Sequence, residues 1–373
     1  MPEVFSDSGT NANMPVKLPV RDASEAPEMI PSAGSTEPSI VDAIPLKLVL
    51  MLAAPYLAGQ TAADAIKLAH RIYHDNRFSS TLDILGEDSQ NVEDCEQAVT
   101  SYKKLIDEIV ADPLACINQV EQMTVSLKPS MFSVSPPPSG GGHDPKLDDA
   151  FERIRSIVDY ACQKNIGVTI EAEDHRWTDF HLETYLALIE AGYLNTGTVL
   201  QSRLFRTGDD VRRFDERMRC RLVIGIYNEP AEIAHTEKPV MKDLLVEYAG
   251  ELSARGTYVE LATHDALCLE HFIERVAIPQ RLPASRFETQ FLLGVPRRKL
   301  QQSLVSGTYL ESWLDGRSES EREYIQELIN SGILVRLYLP FGKDQSAAAY
   351  CRRRLKANPN MIGYGIKNLL HIQ

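Results

Sequence analysis

What this chain lacks narrows its chemistry before any residue is singled out. No Cys-x-x-Cys pair occurs among its six cysteines, Cys95, Cys116, Cys162, Cys220, Cys268 and Cys351. That excludes a zinc ribbon and a thioredoxin-type redox motif, and leaves thiols suited to a reduced core. His-Glu-x-x-His is absent, and of the nine histidines the closest pair, His70 and His74, reads as surface residues rather than metal ligands. There is no Gly-x-Ser-x-Gly elbow for a serine hydrolase. Nor does a Gly-x-Gly-x-x-Gly or a Walker-type phosphate loop follow any strand-like run. Positive charge is scarce: 39 Lys and Arg stand against 52 Asp and Glu, for a net charge of -13. That balance argues against a nucleic-acid partner while leaving room for a local basic pocket. The longest apolar run, Leu48 to Ala58, contains Pro55 and falls short of the roughly 20 residues a bilayer requires. A secretory signal is missing as well, and with unpaired cysteines this points to the cytoplasm.

What is present is a chain of 373 residues, 43% hydrophobic and 24% charged, ample for a large core. Residues 1–44 are rich in Pro, Ser, Glu and Thr and cannot bury enough surface to offset ordering, so they read as a flexible tail. Residues 45–77 turn helical, as in Ala62-Ala63-Asp64-Ala65-Ile66-Lys67-Leu68-Ala69. From there β-rich runs alternate with helical patterns. The expected strands are Ser80–Leu85, Met123–Lys128, Gly167–Ala172, Gly197–Gln201, Arg221–Ile226, Tyr258–Ala262, Phe287–Leu292 and Leu334–Leu339. Such alternation implies parallel strands joined by right-handed crossovers. The expected fold is therefore α/β: a (β/α)8 TIM-like barrel over residues 78–373, with an N-terminal helical extension. Pro136 to Asp144, with three prolines and three glycines, reads as an insertion after the second strand, a solvent-exposed linker or a lid.

Barrels of this class gather their chemistry at the C-terminal strand ends. Here those ends offer Asp83 and Glu87, Lys128, Glu171 with Glu173, Gln201, Tyr227, Thr263-His264-Asp265, Gln290 and Tyr338, with Arg221 opening the fifth strand. After the eighth strand comes Tyr350-Cys351-Arg352-Arg353-Arg354-Leu355. Adjacent helical residues are about 100° apart, so three consecutive arginines cannot all face solvent equally. A guanidinium turned inward pairs bidentately with a carboxylate, and Tyr338 and Tyr350 could wall such a ligand. A run of arginines also suits a solvated helix face. Cations, neutral donors and aromatics together fit an anionic small molecule beside a large cofactor, and no metal site emerges.

At this point the residues carry a likeness. Arg221-Leu222-Val223-Ile224-Gly225-Ile226-Tyr227-Asn228-Glu229-Pro230, Ala262-Thr263-His264-Asp265, Phe287-Glu288-Thr289-Gln290 and the Tyr350–Leu355 run, in this order, resemble the proline dehydrogenase (proline oxidase) family in its single-function form. The likeness runs from about Phe78 to Asn368. It implies a distorted (β/α)8 barrel holding FAD noncovalently, which oxidises L-proline to 1-pyrroline-5-carboxylate and passes electrons to a membrane quinone. A downstream pyrroline-5-carboxylate dehydrogenase would take the product.

Carried over by position, the resemblance makes Lys128, Arg353 and Arg354 the cations that hold the proline carboxylate, with Tyr338 and Tyr350 closing the ring pocket. Glu171 and Arg221 become the catalytic residues, Arg221 beside flavin N5. Ala172, Gln201, Ile224, Gly225, Ile226, Thr263, His264 and Gln290 become flavin contacts. Asp83 and Glu87 match the first-strand motif without an assigned role. Two departures stand out: the family usually has lysine at the Ile224 position and aspartate at that of Glu171. Losing a cation near the flavin removes a stabiliser of its reduced, anionic form. The competing expectation, motivated by Ile224 and the Pro/Gly insertion, is a redox-inactive barrel acting as a ligand-binding or regulatory module. A quinone acceptor further implies a peripheral position at the inner face of the membrane, with the Leu48–Leu57 helix as candidate surface, unless that helix simply covers the barrel, the more expected of the two.

Overall fold

The computed structural model describes residues 45–86, 88–118, 120–138, 144–343, 346–348 and 350–352. The 1–44 tail, Glu87, most of the glycine-bearing insertion, Arg353 and Arg354 lie outside the described residues. Two helices come first, α1 (Leu46–Ala53) and α2 (Ala62–Asn76). Thr61 starts α2 with a capping box in which its side chain and that of Asp64 exchange backbone N–H groups. Then strands and helices alternate: β1 (Ser79–Ile84), α3 (Val92–Val110), β2 (Thr124–Leu127), α4 (Pro145–Gln163), β3 (Val168–Ile170), α5 (Thr178–Glu190) and β4 (Thr196–Gln201). The second half runs α6 (Thr207–Asp210), β5 (Arg219–Val223), α7 (Lys238–Ala254), β6 (Tyr258–Ala262), α8 (Ala266–Phe272), α9 (Ile278–Gln280), β7 (Phe287–Leu292), α10 (Arg298–Val305), α11 (Glu319–Ser331) and β8 (Val335–Phe341).

The eight strands close in sequence order into a parallel barrel. Its seam pairs β1 with β8 in register Thr81↔Tyr338 and Asp83↔Pro340. All eight expected strands form, with one correction of substance. Arg221 does not open the fifth strand but lies in its middle, and Ile224, Gly225 and Ile226 lie beyond its end. The cause is Gly225, whose φ of +103° takes the backbone out of the extended region and ends β5 two residues earlier.

Side chains alternate strictly along each strand. The outward set is apolar and buried under the helices: Leu82, Val125, Leu127, Ile170, Leu200, Leu222, Leu261, Phe287, Val335 and Leu339. Full burial of one such leucine contributes about 1.5–3 kcal/mol. The inward set is mostly polar, including Asp83, Ser126, Gln201, Arg221, Glu260, Glu288, Gln290 and Arg336, all buried. At the N-terminal end Arg336 plugs the barrel. Its Nε donates to Glu288 at 2.7 Å, its Nη1 to the carbonyls of Ser80 and Gln122, and its Nη2 to that of Val120. These bonds fill the floor of the barrel, at the end away from the C-terminal mouth.

A second apolar cluster lies at that mouth. Val49 of α1 packs with Leu85 just beyond β1 and with Ala347, Ala348, Tyr350 and Cys351 of the helical residues after β8. The chain after α1 is tied to the end of β8, with Ala58 N–H donating to Pro340 O at 2.8 Å and Gly342 N–H to Gly59 O at 3.1 Å. Thus the N-terminal segment and the chain after β8 cover one side of the opening.

Candidate active site

The mouth is built around Arg221. Placed mid-strand and pointing inward, it is 4% exposed. Its Nη1 donates to Glu171, one residue past β3, and Glu171 accepts in turn from the Ser126 hydroxyl of β2. The guanidinium lies over the Tyr338 ring, 5.3 Å from its centroid. On the other side Glu260 Oε2 stands 3.6 Å from Arg221 Nε. Two of the guanidinium nitrogens, Nε and Nη2, make no hydrogen bond although buried. Burial alone would lower the Arg221 pKa, yet the Glu171 and Glu260 carboxylates outweigh it and raise it. The group is therefore a permanent cation with donor capacity in hand.

Beside it, Lys128 Nζ donates to Asp83 Oδ1 at 2.5 Å. Both groups are buried, Asp83 completely. Burial pushes the Asp83 pKa up, with Lys128 pulling the other way. Burial also raises the Tyr338 phenol well above its ordinary value, helped by Asp83 and Glu171, so it stays protonated. Tyr350 comes in from the helical residues after β8, 6% exposed. Lys128, Asp83, Glu171, Arg221 and Tyr338 thus converge from five strands and the residues just past them, with Tyr350 added from the helical residues after β8. Acidic, basic and phenolic groups held in a water-poor setting can bind a small zwitterion and manage a proton.

The loops above are stapled to one another. Glu173 takes two hydrogen bonds from Ser130, from its N–H at 2.8 Å and its hydroxyl at 2.6 Å. Gln201 Nε2 donates to Glu173 O at 2.9 Å, and Arg203 Nη1 donates to Tyr227 O. His175 and Glu229 join the loops after β3 and β5: the His175 N–H donates to Oε1 at 3.0 Å, and Nδ1 lies 2.7 Å from Oε2. Ala172, Ile224, Gly225, Ile226, Thr263 and His264 line this rim half-buried. His264 Nε2 accepts from Leu292 N–H at 3.4 Å.

Of the residues expected from sequence, Gln290 is placed differently from the rest. It is 4% exposed and its Nε2 donates to Glu260 at 2.7 Å and to Glu288 at 2.6 Å, so it belongs to the barrel interior. Sequence reasoning missed Ser126, Arg219 and Glu260. The signal was there: polar or charged residues at every second position, Arg219 and Arg221 on β5, Glu288 and Gln290 on β7, mark one polar face. Among the described residues no group of His, Cys, Asp or Glu could hold a metal ion.

Comparison with known proteins agrees with this geometry. A family model described as proline dehydrogenase matches residues 65–362. The proline dehydrogenase of Deinococcus radiodurans is 28% identical over 321 residues, covering 86% of this chain and 90% of that protein. Proline dehydrogenase 1 of Bacillus subtilis is 27% identical over 317 residues, covering 84% and 89%. Among solved structures, proline utilization A from Bdellovibrio bacteriovorus, inactivated by N-propargylglycine, superposes with a TM-score of 0.66 at 19% identity. Its counterpart from Bradyrhizobium japonicum gives 0.62 at 18%. The chain covers 33% and 32% of those longer proteins, from 84% of its own length in each case, and this likeness speaks to the fold alone. With the family model matching most of the chain, on a closed eight-stranded barrel with a polar mouth, the protein belongs to the proline dehydrogenase family.

Proposed function

We propose that the chain is an FAD-dependent proline dehydrogenase, oxidising L-proline to 1-pyrroline-5-carboxylate at the barrel mouth and passing the electrons to a quinone. The observation that carries this is Arg221, a buried cation with two unused donors at a mouth whose loops are otherwise tied to one another. The residues present fit a flavin. Arg221 offers Nε and Nη2, Gly225 presents bare backbone against Gln201 and Arg203, and Ala172, Ile224, Ile226, Thr263 and His264 line the rim around it. Gln290 supports this set from below through Glu260. When bound, the flavin supplies the hydride acceptor, its N5.

The chain's own residues do the rest. Lys128, with Arg353 and Arg354, holds the carboxylate, the one handle of proline that survives the reaction unchanged, so that the carbon next to nitrogen is presented in one orientation. Tyr338 and Tyr350 wall the ring and leave little room for a hydroxylated one. Lys128 and Arg221 disfavour a protonated amine nearby, which helps the substrate lose its proton first. Arg221, steadied by Glu171, offers its positive charge where negative charge builds up. Ile224, just past β5, adds no charge, and Arg219 at the start of β5 is taken up by Glu260, so this duty falls on Arg221.

Quinone as acceptor fits a peripheral site on a membrane. Among the described residues no helix is long and apolar enough to cross one. The exposed Leu48 and Met51 of α1, beside the mouth, are the surface we assign to that contact. The product would pass to a pyrroline-5-carboxylate dehydrogenase. The test is colour: the purified protein should be yellow, or take up added FAD, and should bleach on anaerobic addition of L-proline. A colourless protein that takes up no FAD overturns the reading in favour of a ligand-binding or regulatory barrel.

A further inference from the structure

We propose that Glu260 is a positioning residue for Arg221, fixing its guanidinium from the barrel interior and setting how much positive charge it presents toward the mouth. The inference rests on the flavin reading above.

Glu260 points inward from β6 and is 2% exposed. It is held by three donors. Arg219 reaches Oε1 through Nε at 2.8 Å and Nη2 at 2.7 Å, and Gln290 Nε2 reaches Oε2 at 2.7 Å. Gln290 is itself fixed by Glu288 at 2.6 Å, and Glu288 by Arg336 at 2.7 Å. A carboxylate so restrained cannot swing to follow a ligand. It is a stationary negative charge.

Its Oε2 lies 3.6 Å from Arg221 Nε, too long for a hydrogen bond but close for an ion pair. With Arg336 plugging the floor, little water screens the pair, so the interaction keeps most of its strength. Arg221 is thereby gripped from two sides, by Glu171 at the rim and by Glu260 beneath. Although burial opposes it, Arg219, Arg221 and Arg336 keep the Glu260 pKa below its ordinary value, so it carries its charge at working pH.

The consequence is specific. Removing the lower carboxylate leaves Arg221 less compensated, and a flavin beside it then gains more on reduction, when it becomes anionic. Glu260's partners are Arg219, Gln290 and Arg221, not Lys128, which is assigned to the proline carboxylate, so the effect falls on electron affinity rather than on proline binding.

The experiment titrates the bound flavin spectroelectrochemically in the wild-type chain and in Glu260→Gln, with melting temperature, kcat and KM measured alongside. The ratio of affinities for reduced over oxidised flavin should rise about tenfold, about 30 mV upward for a two-electron couple. KM for proline should stay unchanged. The double variant Arg219→Gln with Glu260→Gln leaves total formal charge as it was, and should still show the upward shift. Loss of the shift in the double variant overturns the inference, because interior net charge would then explain it. If Glu260→Gln does not fold, Glu260→Asp keeps the charge but withdraws it from Arg221, and a smaller upward shift is expected. A potential equal to wild type in every folded variant overturns the role of Glu260 while leaving the flavin reading intact. A wild-type chain that takes up no flavin overturns both.

Discussion

Lys128 and Asp83 face each other across adjacent strands, Nζ 2.5 Å from Oδ1, with both side chains buried. The pair couples binding to stability. On the proposed reading Lys128→Met removes a charge-assisted contact to the substrate carboxylate, and KM for proline should rise about 10–100-fold. It also strands a buried carboxylate, which costs about 3–5 kcal/mol in folding stability. Adding Asp83→Asn should recover much of that stability without recovering KM. Denaturation and steady-state kinetics on the two singles and the double separate the effects. A double variant less stable than Lys128→Met would refute the pairing argument.

Arg221→Met should lower kcat by about 10²–10³-fold, the usual cost of losing one preorganised donor where charge develops. KM should change little, since the carboxylate is held elsewhere. Arg221→Lys is not a mild substitution, because the ammonium cannot meet Glu171 and Glu260 and keep two further donors in one plane. Comparing kcat and KM for both variants checks this. A variant with wild-type kcat would remove Arg221 from the chemistry.

The barrel was legible because the strands are short β-rich runs separated by helical patterns, and the apolar alternate positions declare the outward face. The end of β5 was misplaced because Arg221-Leu222-Val223-Ile224-Gly225-Ile226 keeps strand composition past the point where Gly225 turns the backbone. The interior network was hidden for another reason. Its partners are far apart in sequence: Arg219 and Glu260 by 41 residues, Arg336 and Glu288 by 48. Propensity and periodicity show which face a charge lies on, but only the closed register shows which opposite charge it meets. Arg219 and Glu260 could be seen as charged and inward, but not as a pair. Gln290 illustrates the same limit, as strand position alone does not tell a rim contact from an interior brace.

His181 gives a prediction for pH. Its ring is buried on α5, with Nε2 3.1 Å from Val199 O and Nδ1 3.3 Å from Trp177 O. Two carbonyls would welcome an imidazolium, yet burial wins over them and lowers the pKa to about 4. The unfolded chain takes up a proton near the ordinary histidine value, while the folded chain resists until about 4. Stability from the neutral ring is therefore fully present above the unfolded pKa and is lost as pH falls toward the folded one. Linkage puts the loss at about 2 kcal/mol by about pH 5. The stability advantage of wild type over His181→Gln, measured by urea denaturation, should shrink by that amount between neutral pH and pH 5. An advantage that stays constant with pH contradicts the assignment.

Gly225 ties the end of β5 to the cofactor question, and a second glycine supplies its control. At φ +103° a side chain is strained whatever the space, and a Cβ there would lie 2.4 Å from Gln201 Oε1 and 2.8 Å from Arg203 Cδ. Neither neighbour can yield cheaply: Gln201 is tied to Glu173 O and Arg203 to Tyr227 O, the bonds that hold the loops after β3, β4 and β5 together. Gly225→Ala should therefore cost about 1–3 kcal/mol in backbone strain and also displace the rim. Gly192 has a similar φ, +91°, but nothing within 4 Å of its Cβ position. Gly192→Ala carries the strain without the clash, so it lowers the melting temperature but leaves flavin content at the wild-type level. Gly225→Ala should lower both, read as the ratio of flavin to protein absorbance after purification. Equal flavin content in the two variants would mean that the tight approach of Gly225 to Gln201 and Arg203 shapes the loop alone and has no part in holding the cofactor.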